Sequence, residues 1–136
     1  MGESQNLSQA ALIVEDDADQ RSLTAMLLQE HGFETIECES AEAALATMLL
    51  RGREVCLVFA DLRLSGVMDG VDLAHELRMR WPHLIVVLTS GNAGTRLADL
   101  PAGVEYMPKP WQLLNLLVAA DRAKLTVRPA RCRGLF

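Results

Sequence analysis

Hydrophobic positions along this chain follow two alternating rhythms. Runs that are apolar at nearly every position occur at 10–14, 54–60, 84–88 and 104–107. These runs predict strands, and the central one, apolar at nearly every position, reads as a strand buried on both faces, as in a parallel sheet. The stretch from Phe33 to Cys38 is less strongly patterned, with Ile36 and Cys38 on one face, and predicts an outer strand. Between these runs the spacing turns helical. Ala18 to Glu30 carries Leu23, Met26 and Leu27 as its expected inward stripe, and Gly70 to Trp81 carries Leu73, Ala74, Leu77 and Trp81. An Ala-rich helix is expected from Ala41 to Leu50 and a short, weakly specified one from Thr95 to Leu100. A last helix is expected from about Trp111, with Leu113, Leu114, Leu117, Val118 and Ala120 mostly inward. Asp17 or Asp19 and Ser40 stand where N-caps are needed, and Gly32, Gly52 and Pro82 stand at the stops.

Five strands alternating with five helices imply parallel strands joined by right-handed crossovers. The expected architecture is an α/β fold with a three-layer, doubly wound, five-stranded parallel sheet. Strand order 2-1-3-4-5 is expected, which puts the first and third strands on either side of the switch point. One domain should cover residues 10–125, after a disordered lead-in at 1–9 and before a flexible basic tail at 126–136.

Composition narrows the classes. Half of the 136 residues are hydrophobic and the formal net charge is −5, which leaves no basic footprint for nucleic acid. No run approaches the roughly 20 apolar residues of a membrane helix, and the polar start lacks the basic and apolar parts of a signal peptide. A cytoplasmic chain that binds neither nucleic acid nor membrane is expected. Cys38, Cys56 and Cys132 have no metal-ligand spacing, and the first two fit a core better than a redox site.

The chemistry collects at strand ends. The central run ends in Asp61, the first in Glu15-Asp16-Asp17, the fourth in Thr89-Ser90, and the fifth in Lys109-Pro110. In the expected topology these ends share one crevice. Clustered carboxylates repel one another and call for a cation, and an all-oxygen set with room for water suits Mg²⁺. A carboxylate can also act as a nucleophile towards phosphorus.

The joint order of these residues resembles the receiver domain of two-component response regulators, over about residues 10 to 124. The resemblance implies a flavodoxin-like fold with Asp61 as phospho-acceptor. It makes Asp16 and Asp17 the carboxylates that, with Asp61 and the main-chain carbonyl of Arg63, hold Mg²⁺. Thr89 and Lys109 would contact the phosphoryl group, and Tyr106 would change rotamer together with Thr89. One departure is visible: the loop Leu64-Ser65-Gly66-Val67-Met68-Asp69-Gly70 lacks the family's proline and is one residue longer.

The resemblance also implies partners. A histidine kinase or histidine phosphotransfer protein would donate the phosphoryl group, and a downstream protein of unknown identity would receive the signal. A homodimer could form through the face of the fourth helix, fifth strand and fifth helix. The reading is therefore a stand-alone phospho-accepting switch, not an enzyme beyond its own phosphorylation and dephosphorylation. Its alternatives are a degenerate or excised module that binds constitutively, or a phosphate sink. A phosphohydrolase of the haloacid-dehalogenase type would need a second Asp two residues after Asp61, where Arg63 stands. A flavodoxin would need a Ser/Thr/Gly-rich phosphate loop where Glu15-Asp16-Asp17 stand.

Overall fold

Strands β1 (Ala10–Val14), β2 (Glu34–Cys38), β3 (Val55–Asp61), β4 (Ile85–Ser90) and β5 (Val104–Pro108) form one parallel sheet in the order β2-β1-β3-β4-β5. Helices α1 (Ala18–Glu30), α2 (Ala41–Arg51), α3 (Gly70–Arg80) and α4 (Leu113–Arg133) cover its two faces. The computed structural model describes residues 9–92 and 94–133, with the side chains of 95 and 126–133 excluded. Residues 1–8 of the expected lead-in at 1–9, and 134–136 of the expected tail, lie outside the described residues.

Period-two alternation along the buried strands divides the core. Leu12, Val14, Val58, Ala60, Val86 and Leu88 face α2 and α3, where Ala44, Met48, Leu73 and Leu77 meet them. Ile13, Leu57, Phe59 and Val87 face α1 and α4, where Ala25, Leu28, Leu116 and Ala120 meet them. Each large side chain removed from water in these layers contributes about 1.5–3 kcal/mol. Asp61 follows Phe59 on the α1/α4 side of the alternation, which decides the neighbours its carboxylate meets.

Local signals set the helix starts. Asp17 accepts from the amides of Asp19 and Gln20, Ser40 from that of Ala43, and Asp69 with Asp72 closes a capping box on α3.

The structure corrects four expectations. The inward face of α1 is Thr24, Ala25 and Leu28, while Leu23 and Met26 are about half exposed. On α4 the inward stripe is Leu116, Ala119, Ala120 and Ala123, and Leu113, Leu114 and Val118 are exposed. Both helices are apolar on more than one stripe, and the smaller side chains win because they let the helix lie close to the sheet. The segment after β4 is a 3-10 turn, Gly94–Asp99, and not a fourth α-helix. Gly94 and Pro101 leave it too few residues to repay helix nucleation. Finally, the backbone of α4 continues to Arg133, through residues expected as a flexible tail. From Leu113 onward Pro129 is the sole breaker before Gly134, and Ala and Arg favour the helix around it.

Candidate functional site

Asp61 ends the central strand and is 8% exposed. Burying a carboxylate there requires partners, and two are present. The amide of Arg63 donates to its Oδ1 at 2.9 Å, and Lys109 Nζ donates to its Oδ2 at 2.8 Å. Lys109 reaches in from the end of β5, where its backbone amide is held by the carbonyl of Ser90 and its peptide to Pro110 is cis. Its ammonium also donates to Gln20 Oε1 at 2.8 Å and more weakly to Glu15 Oε1 at 3.4 Å. Burial works against the Lys109 charge, yet the bonds and fields of Asp61 and Glu15 outweigh it and raise its pKa.

Of the acidic triplet, Glu15 enters the crevice. It is 7% exposed, its Oε2 accepts from the Asp17 amide at 3.0 Å, and its carbonyl is held by Arg21 Nη1 at 2.7 Å. Burial, and after it the neighbouring Asp61, pushes the Glu15 carboxyl up to about 7 against the opposing pull of the Asp17 amide and Lys109. Asp16 and Asp17 are exposed and line the same cleft, and Asp17 Oδ1 caps α1. Sequence reasoning set Glu15 aside from the ligand set. The signal that could have found it is its position directly after the last core residue, Val14, where the strand still points its side chains into packed surroundings.

Thr89 lies inside β4, paired in register with Asp61 of the neighbouring β3, and its Oγ1 is buried with no hydrogen-bond partner. Buried hydroxyls are seldom left so; this one stands where an oxygen-rich group beside Asp61 would satisfy it. Tyr106 is half-buried on β5 and bonds Ser90, through the carbonyl and Oγ, both at 3.3 Å. The expected Thr89–Tyr106 pair therefore has Ser90, the next residue, on its tyrosine side. Arg63 lines the cleft together with Glu15, Asp16, Asp17, Asp61 and Lys109, around a space of about 510 Å³.

The loop after Asp61 has its own anchors. The Gly70 amide donates to the Leu62 carbonyl, and the Leu62 amide donates to the Thr89 carbonyl. A Cβ at Gly70 would stand 2.4 Å from the Asp61 carbonyl oxygen, so only glycine allows this approach. The extra length at 64–69 is held by Glu42, whose Oε2 accepts from the amides of Val67 and Met68.

Beside the acidic cleft lies a mainly apolar cavity of about 540 Å³ between α1 and the loop entering α4. Leu23, Leu27, Phe59, Trp111 and Leu113 line it, and Glu15, Thr89 and Lys109 stand at its edge. Trp111 packs edge-on against Phe59, with ring centroids 5.3 Å apart.

A doubly wound sheet with acids, a lysine and an unpartnered hydroxyl at its switch point has a ligand site where such folds place one. The family model described as response regulator receiver domain matches residues 11–121. The chain belongs to that family. Over 124 residues it is 32% identical to the nitrogen assimilation regulatory protein NtrX of Azorhizobium caulinodans, spanning 88% of this chain and 27% of that protein. It is 37% identical over 125 residues to the transcriptional regulatory protein AruR of Pseudomonas aeruginosa, spanning 88% of this chain and 50% of that protein. The receiver domain of NtrX from Brucella abortus superposes with a TM-score of 0.73 at 35% identity, over 85% of this chain and 98% of that one. The chain thus spans between about a quarter and a half of these two curated relatives. Among the described residues no helix is long and apolar enough to cross a membrane.

Proposed function

We propose that this domain accepts a phosphoryl group on Asp61 and acts as a switch in two-component signalling. The observation that carries the reading is the Lys109 ammonium at 2.8 Å from a buried Asp61 carboxylate, beside a Thr89 hydroxyl that has no partner. An Asp61 carboxylate oxygen attacks phosphorus and the bond from phosphorus to the donor breaks. An acyl phosphate remains on Asp61, and the bond's electron pair leaves with the donor group, an imidazole nitrogen in a phosphohistidine. Lys109 then neutralises a phosphoryl oxygen and Thr89 donates to another, which is the charge stabilisation phosphoryl transfer requires.

The donor set fits Mg²⁺. Glu15, Asp16 and Asp61 offer carboxylate oxygens and Arg63 a main-chain carbonyl, while Asp17 is engaged as a cap. Among the described residues no three acidic, His or Cys side chains form a ready-made metal cage. Mg²⁺ is held by one or two carboxylates with waters and phosphate, and Asp16 and Asp61 with the Arg63 carbonyl would be enough for that. Mg²⁺ bound there supplies positive charge to the transferring phosphoryl oxygens.

The donor in this reading is a histidine kinase or phosphotransfer protein, and the apolar cavity beside Lys109 offers its docking side chains a seat. Output passes through protein contacts of the 94–99 segment, β5 and α4, including a homodimer through that face. A cytoplasmic location and a chain that itself makes no nucleic-acid contact belong to the same proposal. Intact-mass spectrometry after incubation with acetyl phosphate tests it. A single phosphoryl adduct that needs Mg²⁺ and is absent in Asp61→Asn is expected. A folded protein with no adduct under any condition would return the chain to a constitutive binding module.

A further inference from the structure

We propose that Gln20 is a positioning residue for Lys109, holding the ammonium in place while its carboxylate partner is consumed by phosphorylation. The inference rests on the phospho-acceptor reading of Asp61. The three N–H groups of Lys109 meet Asp61 Oδ2 at 2.8 Å, Gln20 Oε1 at 2.8 Å and Glu15 Oε1 at 3.4 Å. An ammonium only donates, so the Gln20 amide must turn its oxygen inward. Gln20 is itself anchored, because its backbone amide is bonded to the Asp17 cap and its carbonyl takes the Thr24 hydroxyl. Its side chain is exposed and borders both the acidic cleft and the apolar cavity, beside Lys109.

The chemistry explains why an amide serves there. Phosphorylation turns the Asp61 carboxylate into an acyl phosphate whose negative charge sits on the phosphoryl oxygens, and Lys109 must pass from the Asp61 oxygen to one of them. A lysine held by carboxylates alone would be pulled back towards Glu15. A neutral acceptor keeps the long, flexible side chain in place without competing for its charge. Gln20 touches no reacting atom and acts wholly through Lys109.

Initial rates of adduct formation with acetyl phosphate and Mg²⁺ test this, together with the NMR resonance of the Lys109 Nζ. Gln20→Met preserves length but replaces the amide oxygen with a thioether, a far weaker acceptor. It should lower the maximal rate by roughly three- to tenfold, the worth of one net hydrogen bond, leave the half-saturating acetyl phosphate concentration nearly unchanged, and shift the Nζ resonance. Gln20→Glu should restore the resonance's order but not the rate, since its charge retains the ammonium. Gln20→Met at the wild-type rate would overturn the proposal, and so would a slower rate with an unmoved Nζ resonance, which would mark a merely structural role. If the wild type itself gives no adduct, the phospho-acceptor reading has failed, and the Nζ resonance alone decides whether Gln20 positions the lysine.

Discussion

Arg96 grips Asp69 with both arms of its guanidinium, Nε to Oδ2 and Nη2 to Oδ1, each at 3.0 Å. The same side chain reaches Asp72 and Asp99, so the 3-10 segment after β4 is tied to the N-terminus of α3. Asp69 also precedes Gly70, whose amide bonds back to Leu62, the neighbour of Asp61. A continuous set of bonds thus joins the neighbour of Asp61 to the 94–99 segment, whose movement would carry the signal in the proposed function.

Cutting this tie should free the segment without unfolding the sheet. Arg96→Ala is expected to speed amide hydrogen exchange across 94–100 and leave the melting temperature little changed. Asp69→Asn, which retains a good N-cap, should give the same exchange pattern more weakly. Exchange in Arg96→Ala that matched wild type would show that the segment is held by its packing and not by this pair.

Gly70→Ala should be costly for a different reason. The added Cβ has no room beside the Asp61 carbonyl and Leu62 Cα, and overpacking of this kind costs about 1–3 kcal/mol. Denaturant unfolding reads the loss. Phosphorylation should fall with it, because relief of the clash moves the backbone of Asp61.

Glu42 sets the order of the longer loop. The Met68 amide, and with it that of Val67, holds the Glu42 carboxyl below its ordinary 4.5. A carboxyl lowered by folding contributes its stabilisation above 4.5 and loses it as the pH falls through the lower folded value. Amide exchange at Val67 and Met68 should therefore quicken, relative to other loop amides, on acidification below about 4.5. Glu42→Ala should show the quick exchange at neutral pH as well.

Glu15 has the opposite dependence. Its folded value of about 7 lies above the unfolded 4.5, so between these the folded protein keeps a proton the unfolded chain has lost. Stability should fall as the pH rises through that window in metal-free protein. The melting temperature of Glu15→Gln, which mimics the protonated form, should fall less over the same range. Equal slopes for the two proteins would show that Glu15 is ionised throughout.

The sheet, its strand order and the convergence of Asp61, Thr89 and Lys109 were legible from sequence. Their signals are local: short apolar strand runs alternating with helical segments, punctuated by Gly, Pro and capping Asp, admit few topologies, and the topology brings strand ends together. Three things were decided only by tertiary structure. Leu23 and Leu113 lie outside while Ala25 and Ala119 lie inside, since a Leu-rich helix offers several apolar stripes and close approach to the sheet selects one. Glu15 rather than Asp17 faces Asp61, since the strand's alternation and the helix cap divide the acids between them. Gln20 and Arg96 found their partners 89 and 27 residues away. Such contacts leave no periodic trace in the chain, because they depend on where two separately encoded elements come to rest.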